Sequence, residues 1–207
     1  MGCGADRLIP VWFKLSYLIF AAVLVPAYAL AYGLVHFLWF SNVALMGGLL
    51  AAWLESRRLA SMMAVAVALL EMPWVFDFLL SLALGGPTRL GIVDYLYNPD
   101  IALHLRLLSL YHLLLPFVLL WMVWRLGYDR EAWKVWVVAG CAILLLSFWL
   151  STPERNINWV WGPGGQAQDW TSPYVWFGIA LVVCLSAWWL THRFLLAVMR
   201  GFGRRIE

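Results

Sequence analysis

Glu71, Asp77 and His112 are ionisable side chains set inside otherwise apolar stretches of a 207-residue chain. In hydrocarbon such a group costs at least about 2.5–3.5 kcal/mol, so it usually turns toward the interior of a bundle, finds a partner and marks a pathway or binding site. Glu71 and His112 together supply an acid and a base. That pairing suits proton coupling, recognition of a polar substrate, or general acid–base catalysis. Both sit near prolines, Pro73 and Pro116. A proline cannot donate to the carbonyl four residues back and displaces it sterically, which would free the carbonyls of Leu69 and of His112 itself. Trp74 follows Glu71 by three residues and so shares its helix face. Glu71, Trp74 and His112 are expected at the floor of a polar pocket, with Asp77 nearer its mouth and Asn42 on its wall; His36, Ser109 and Tyr111 are weaker additions. The plain alternative is a hydrogen bond that only locks two helices together.

Other chemistry finds less support. The sequence contains no HExxH, GxSxG, P-loop, GxGxxG or CxxC pattern. Cys3, Cys141 and Cys184 suggest neither a disulfide framework nor a thiolate metal site. No metal is expected and no cofactor is indicated, although His36 or His104 with His112 would be the residues to hold a haem between facing helices. Met1-Gly2-Cys3 lacks the Ser or Thr that myristoylation wants, since position 6 is Asp6.

The elements that must position these residues are membrane helices. The chain is 64% apolar and 12% charged with a mean hydropathy of +0.82, against roughly 45–50% and about 25% for a soluble domain. A water-soluble globule is excluded. Six apolar segments fall at about 15–32, 36–54, 59–84, 102–124, 133–150 and 174–198, each long enough to approach the ~20 residues of a span. Transmembrane strands would alternate, whereas 21–30 and 113–124 are apolar on every face. The expected class is therefore all-α, a polytopic transmembrane helix bundle of about six spans forming one integral membrane domain over 1–207. On this layout Glu71 and His112 lie about 16 and 15 Å from the outer surface at 1.5 Å per residue, level with each other.

Orientation comes from the Lys and Arg residues, which are retained on the cytoplasmic side. With the N-terminus inside, eleven fall in the inner set, from Arg7 and Lys14 to Arg204 and Arg205, and three in the outer set, Arg89, Arg106 and Arg155. Both termini are expected in the cytoplasm. Fourteen of the fifteen tryptophans lie near a span end or in an outer connection, as interfacial indoles do; Trp74 is the exception. A signal peptide ending near Ala29-Leu30-Ala31 is the alternative reading of the first segment. The basic residues form no run with interleaved aromatics, so the expected partner is the lipid bilayer and not nucleic acid.

Ala44, Gly48 and Ala52 recur every four residues, as do Ala60, Ala64 and Ala68, and the short connection between them makes these the facing seams of antiparallel neighbours. In the outer connections, about 85–101 and 151–173, Asp100 suits an N-cap and Ser151 with Glu154 reads as a capping box. The density of Asn and Trp in the second suits a plain interfacial loop or a lid packed on the membrane surface.

Three stretches, His36 to Leu45, Leu119 to Arg130 and Asn156 to Gly164, resemble a family of small bacterial multi-pass membrane proteins of about six spans with no assigned activity. The resemblance implies a compartment, the cell inner membrane, and an architecture. It also implies Asp where this chain has Asn42, and the neutral residue disfavours any mechanism that needs a charge there. The function expected from the residues is binding or transport of a small solute or lipid through an outward-facing polar pocket. The alternatives are a membrane enzyme acting on a lipid or lipid-linked substrate, with Glu71 and His112 as acid and base, and a structural or assembly subunit.

Overall fold

The structure is a computed structural model and describes residues 8–206. Its elements are α1 (Val11–Tyr32), α2 (Phe40–Leu54), α3 (Arg57–Val67), α4 (Met72–Leu84), α5 (Leu103–Leu108), α6 (Tyr111–Leu126), α7 (Ala132–Leu150) and α8 (Pro173–Gly201), with short 3-10 turns at Leu34–Leu38, Asp94–Tyr97 and Ile157–Trp159. Among the described residues there is no strand, only one isolated bridge between Tyr128 and Ile206. The fold is an all-α helical bundle. Four helical stretches, α1, α5 with α6, α7 and α8, are long and apolar enough to cross a membrane, and α3 with α4 makes a fifth if the bent pair is one span. At 15 residues, α2 extends only about 22 Å, short of the ~30 Å hydrocarbon core.

Helix α3 is the hub, packed against α2, α6, α7 and α8, and its residues from Met63 to Val67 are buried. Small side chains make this possible: Ala60, Ala64 and Ala66 leave the backbone no bulk to keep neighbours away. The α2–α3 contact is the most extensive in the bundle, as the two small-residue stripes imply. One detail differs. Gly47 is the residue that faces α3, where an added Cβ would strike Met63, whereas Gly48 faces the Tyr17 hydroxyl of α1 and Leu119 of α6. The four-residue repeat therefore serves two neighbours, because α2 is packed on more than one side.

The apolar segment 59–84 is divided in two. Helix α3 ends at Val67, α4 begins at Met72, and their axes differ by 59°. Pro73 at the start of α4 explains why the helix does not run through, since its ring excludes the preceding turn. The Leu69 carbonyl is not left open: the Met72 amide donates to it at 3.2 Å. Upstream, the Ala66 carbonyl accepts from the Trp188 indole of α8 at 3.2 Å. The segment 102–124 is also divided, at Ser109–Leu110, while α6 continues straight past Pro116. The interruption therefore lies one to two turns before the proline.

The two ends of the bundle differ in charge. One end gathers the start of α1, the α2–α3 turn, the α6–α7 connection and the C-terminal segment. There Lys14 pairs with Glu55 at 2.7 Å, Arg125 donates to the Leu8 carbonyl, the Asp129 amide donates to the Ser61 hydroxyl, and the Tyr128 amide donates to the Arg205 carbonyl. Gly127, at φ 93° with the Arg205 carbonyl 3.0 Å from where a Cβ would stand, admits this close approach. Arg89, Arg106 and Arg155 lie toward the other end with the long connections, where Arg155 donates to the Tyr32 carbonyl.

At that end Asn156 and Asn158 organise 151–172. The Asn156 amide donates to the carbonyls of Gly162, Gly164 and Gln166, and its oxygen accepts from the Trp161 amide. Asn158 donates to the Leu38 carbonyl and the Ser147 hydroxyl and accepts from the Phe40 amide at 2.9 Å. The loop is thereby fastened over the start of α2 and the end of α7. Ser151 and Asp100 do not cap helices as their spacing suggests: Ser151 closes α7 and accepts from the Trp161 indole, and α5 starts after Ala102.

Candidate functional site

Glu71 and His112 meet. His112 Nδ1 lies 2.8 Å from Glu71 Oε2, within hydrogen-bond distance. Each stands at an interruption. Glu71 is the residue just before α4, and His112 is the second residue of α6. Helix starts carry the positive end of the backbone dipole, and Glu71 stands at that end of α4. The side chains of His112 and Glu71 remain 18% and 11% exposed, so the pair is shielded without being sealed.

Aromatic rings fix the imidazole on both faces. Trp74 stacks on it with centroids 5.1 Å apart and planes 27° apart, and Tyr111 stacks on it at 4.2 Å and 26°. Such a sandwich removes the rotational freedom of His112 and leaves its edge for hydrogen bonding. The Trp74 indole N–H is spent on the Tyr95 hydroxyl at 3.1 Å. The Tyr111 hydroxyl donates to Asn42 Oδ1 at 2.9 Å, and Asn42 Nδ2 donates to the His36 carbonyl at 3.0 Å. His36 itself is stacked on Tyr32 and met edge-on by Tyr28. A continuous polar and aromatic path thus runs from the turn after α1, through Asn42 and Tyr111, to the acid–base pair.

Asp77 stands apart from this path. It is fully buried, its Oδ2 accepts from the Val93 amide at 3.0 Å, and its other oxygen accepts from the Thr88 hydroxyl. These bonds tie the 85–101 connection down onto α4. Nearby, the Tyr97 hydroxyl donates to Ser81 at 3.1 Å in the same role. Asp77 thereby brings Tyr95 over Trp74, which makes it a positioning residue for the path.

Of the sequence-derived site residues, the structure joins Glu71, Trp74, His112 and Asn42, the last through Tyr111, and places Asp77 in the connection's anchor. Tyr95 is the residue that sequence reasoning missed. It lies in a 3-10 turn of a loop, where no periodicity ties it to an element 21 residues away. Among the described residues no three of His, Cys, Asp and Glu converge as a metal site.

The fold and this arrangement define the class: a helical membrane protein with an acid–base pair held at two helix interruptions. No protein family, characterised protein or solved structure matches the chain, so its functional reading rests on its own residues.

Proposed function

We propose that the chain is a multi-pass protein of the cell inner membrane, one domain of about six spans with both termini in the cytoplasm. It binds or carries a small solute or lipid at the Glu71–His112 pair, which is reached from the end opposite the basic one. The observation that carries the reading is the contact of an acid and an imidazole, 2.8 Å apart, at the starts of two interrupted helices. Interrupted spans near mid-membrane are where transporters place coupling and substrate sites, because unwound backbone and helix ends supply polar groups there. The gathering of Lys14, Arg58, Arg125, Arg130, Lys134 and Arg200 at one end supports the orientation.

The test is native mass spectrometry of the gently extracted protein, comparing the wild type with Glu71→Gln and Trp74→Phe, alongside thermal unfolding. A small molecule or lipid held by the wild type and lost from both variants at unchanged stability supports binding. Lowered stability with unchanged retention would show that the pair is only a clamp, as for an assembly subunit. A lipid-linked product in the retained fraction would favour the membrane-enzyme alternative. Thiol labelling at positions 90 and 165, expected from outside only, checks the threading, and a C-terminus reached from outside overturns it.

A further inference from the structure

At the basic end, away from the acid–base pair, a cleft of about 210 Å³ opens between α7 and α8, lined by Arg130, Glu131, Trp133, Lys134, His192, Leu196 and Arg200. Three cations face one carboxylate. Glu131 takes Lys134 at 2.6 Å and Arg130 at 3.4 Å. Arg200, in the last turn of α8, has no acidic partner among the described residues. Among the described residues the cleft therefore carries a net positive charge.

Its floor is polar and held still. His192 is buried, and its ring stacks on Trp133 with centroids 5.0 Å apart. The hydroxyl of fully buried Tyr128 lies 2.7 Å from His192 Nδ1 and has no other hydrogen-bond partner among the described residues. When this hydroxyl donates to Nδ1, a neutral imidazole carries its proton on Nε2. Nε2 has no hydrogen-bond partner among the described residues. It is a spare N–H donor on a residue that lines a cationic cleft. Leu196 and Trp133 add apolar walls at the same level, on helices whose neighbouring outer faces, at Phe194 and Val135, are exposed and apolar.

Arginine and lysine around a neutral donor, next to an apolar wall, match the phosphate of a lipid headgroup whose acyl chains run along α7 and α8. We propose that this cleft is a binding site for the phosphate group of an anionic phospholipid, held by Arg200 and Lys134 with the His192 Nε2–H beneath. The site stands independently of the Glu71–His112 reading.

The test uses the full chain in detergent, titrated with phosphatidylglycerol, phosphatidylcholine or inorganic phosphate and read by native mass spectrometry, with Lys134→Gln and Arg200→Gln as variants. Both side chains lie at the open rim, and thermal unfolding without lipid confirms that the variants fold. Arg204→Gln removes the same charge from the same end, but Arg204 lies over the Trp124 ring, 4.2 Å from its centroid, and outside the cleft. Retention of phosphatidylglycerol over phosphatidylcholine, weakened about tenfold by Arg200→Gln or Lys134→Gln and little changed by Arg204→Gln, is the expected result. Equal loss in all three variants overturns the site in favour of diffuse attraction. Binding of inorganic phosphate without discrimination between the two lipids overturns the lipid assignment.

Discussion

Replacing Glu71 by Leu and His112 by Phe, singly and together, measures the bond on which the site is built. His112→Phe keeps a flat ring between Trp74 and Tyr111, so the two stacks at 5.1 and 4.2 Å survive and only the ring nitrogens are lost. Either single change leaves a shielded polar group facing an apolar one. A hydrogen bond to a charged group is worth about 1.5–3 kcal/mol, and stranding its partner costs a similar amount. Exposed ion pairs give about 0.2–1 kcal/mol, and hydrogen bonds between membrane helices average about 0.6 kcal/mol. With side chains 18% and 11% exposed and a 2.8 Å contact, the upper range applies. Each single variant is expected to lose about 2–3 kcal/mol, and the double variant far less than their sum, for a coupling of about 2 kcal/mol. Reversible unfolding in mixed micelles, followed by tryptophan fluorescence, supplies the four free energies. A coupling below about 0.5 kcal/mol, the additivity expected of independent sites, would refute the claim that the two residues are bonded to each other.

Asp77→Ala should release the 85–101 connection, because the Val93 amide and the Thr88 hydroxyl lose their acceptor. Faster proteolysis in that loop checks it, with a stability loss of about 1–3 kcal/mol for the stranded amide. Gly140→Ala should cost about 1–3 kcal/mol by overpacking, since the new Cβ falls 2.5 Å from the indole of fully buried Trp188. Gly47→Ala should cost less, because Met63 opposite it is flexible; equal melting shifts would contradict this. Burial opposes ionisation of Glu55, but the Lys14 ammonium and the amides of Leu8 and Ile9 outweigh it and hold its carboxyl below its ordinary value of 4.5. A carboxyl lowered on folding stabilises fully above its unfolded value and loses that contribution as pH falls through the folded one. Amide protection at Leu8 and Ile9, corrected for intrinsic exchange, should hold at neutral pH and fall as the solution is acidified below about 4.5.

Helical class and the Glu71–His112 meeting were both legible in the residues, because a charge in an apolar stretch demands a partner at its own depth. The interruption before α4 was half legible: Pro73 marks the neighbourhood, but the four residues 68–71 that leave the helix are Ala, Leu, Leu and Glu, all good helix formers. Pro73 forces a break, and tertiary contacts such as the Trp188 bond to the Ala66 carbonyl set where it falls. Pro116 misleads in the opposite sense, since its missing donor is absorbed within α6 and the turn gives way at Ser109–Leu110. Local capping patterns failed at Asp100 because α5 starts only after Ala102, and at Ser151 because its hydroxyl accepts from the Trp161 indole while the residue closes α7. Asn158 shows the limit most clearly. Its three bonds join residues 11 to 120 positions away, and no periodic signal reaches so far.

The bonds from Asn158 to Phe40 and from Trp188 to Ala66 span 118 and 122 residues, and they impose an order on synthesis at the ribosome. The Phe40 amide opens α2 and the Ala66 carbonyl lies at the end of α3, so the first half of the chain enters the bilayer with both ends of its central hairpin incomplete. Until the loop after α7 and most of α8 have been translated, those groups have only water, lipid headgroups or the insertion machinery to satisfy them. A nascent chain halted before Trp188 therefore holds the acid and the imidazole but lacks the side chain that closes the end of α3. Closure of that helix end is therefore a late event, which waits until α8 has been made.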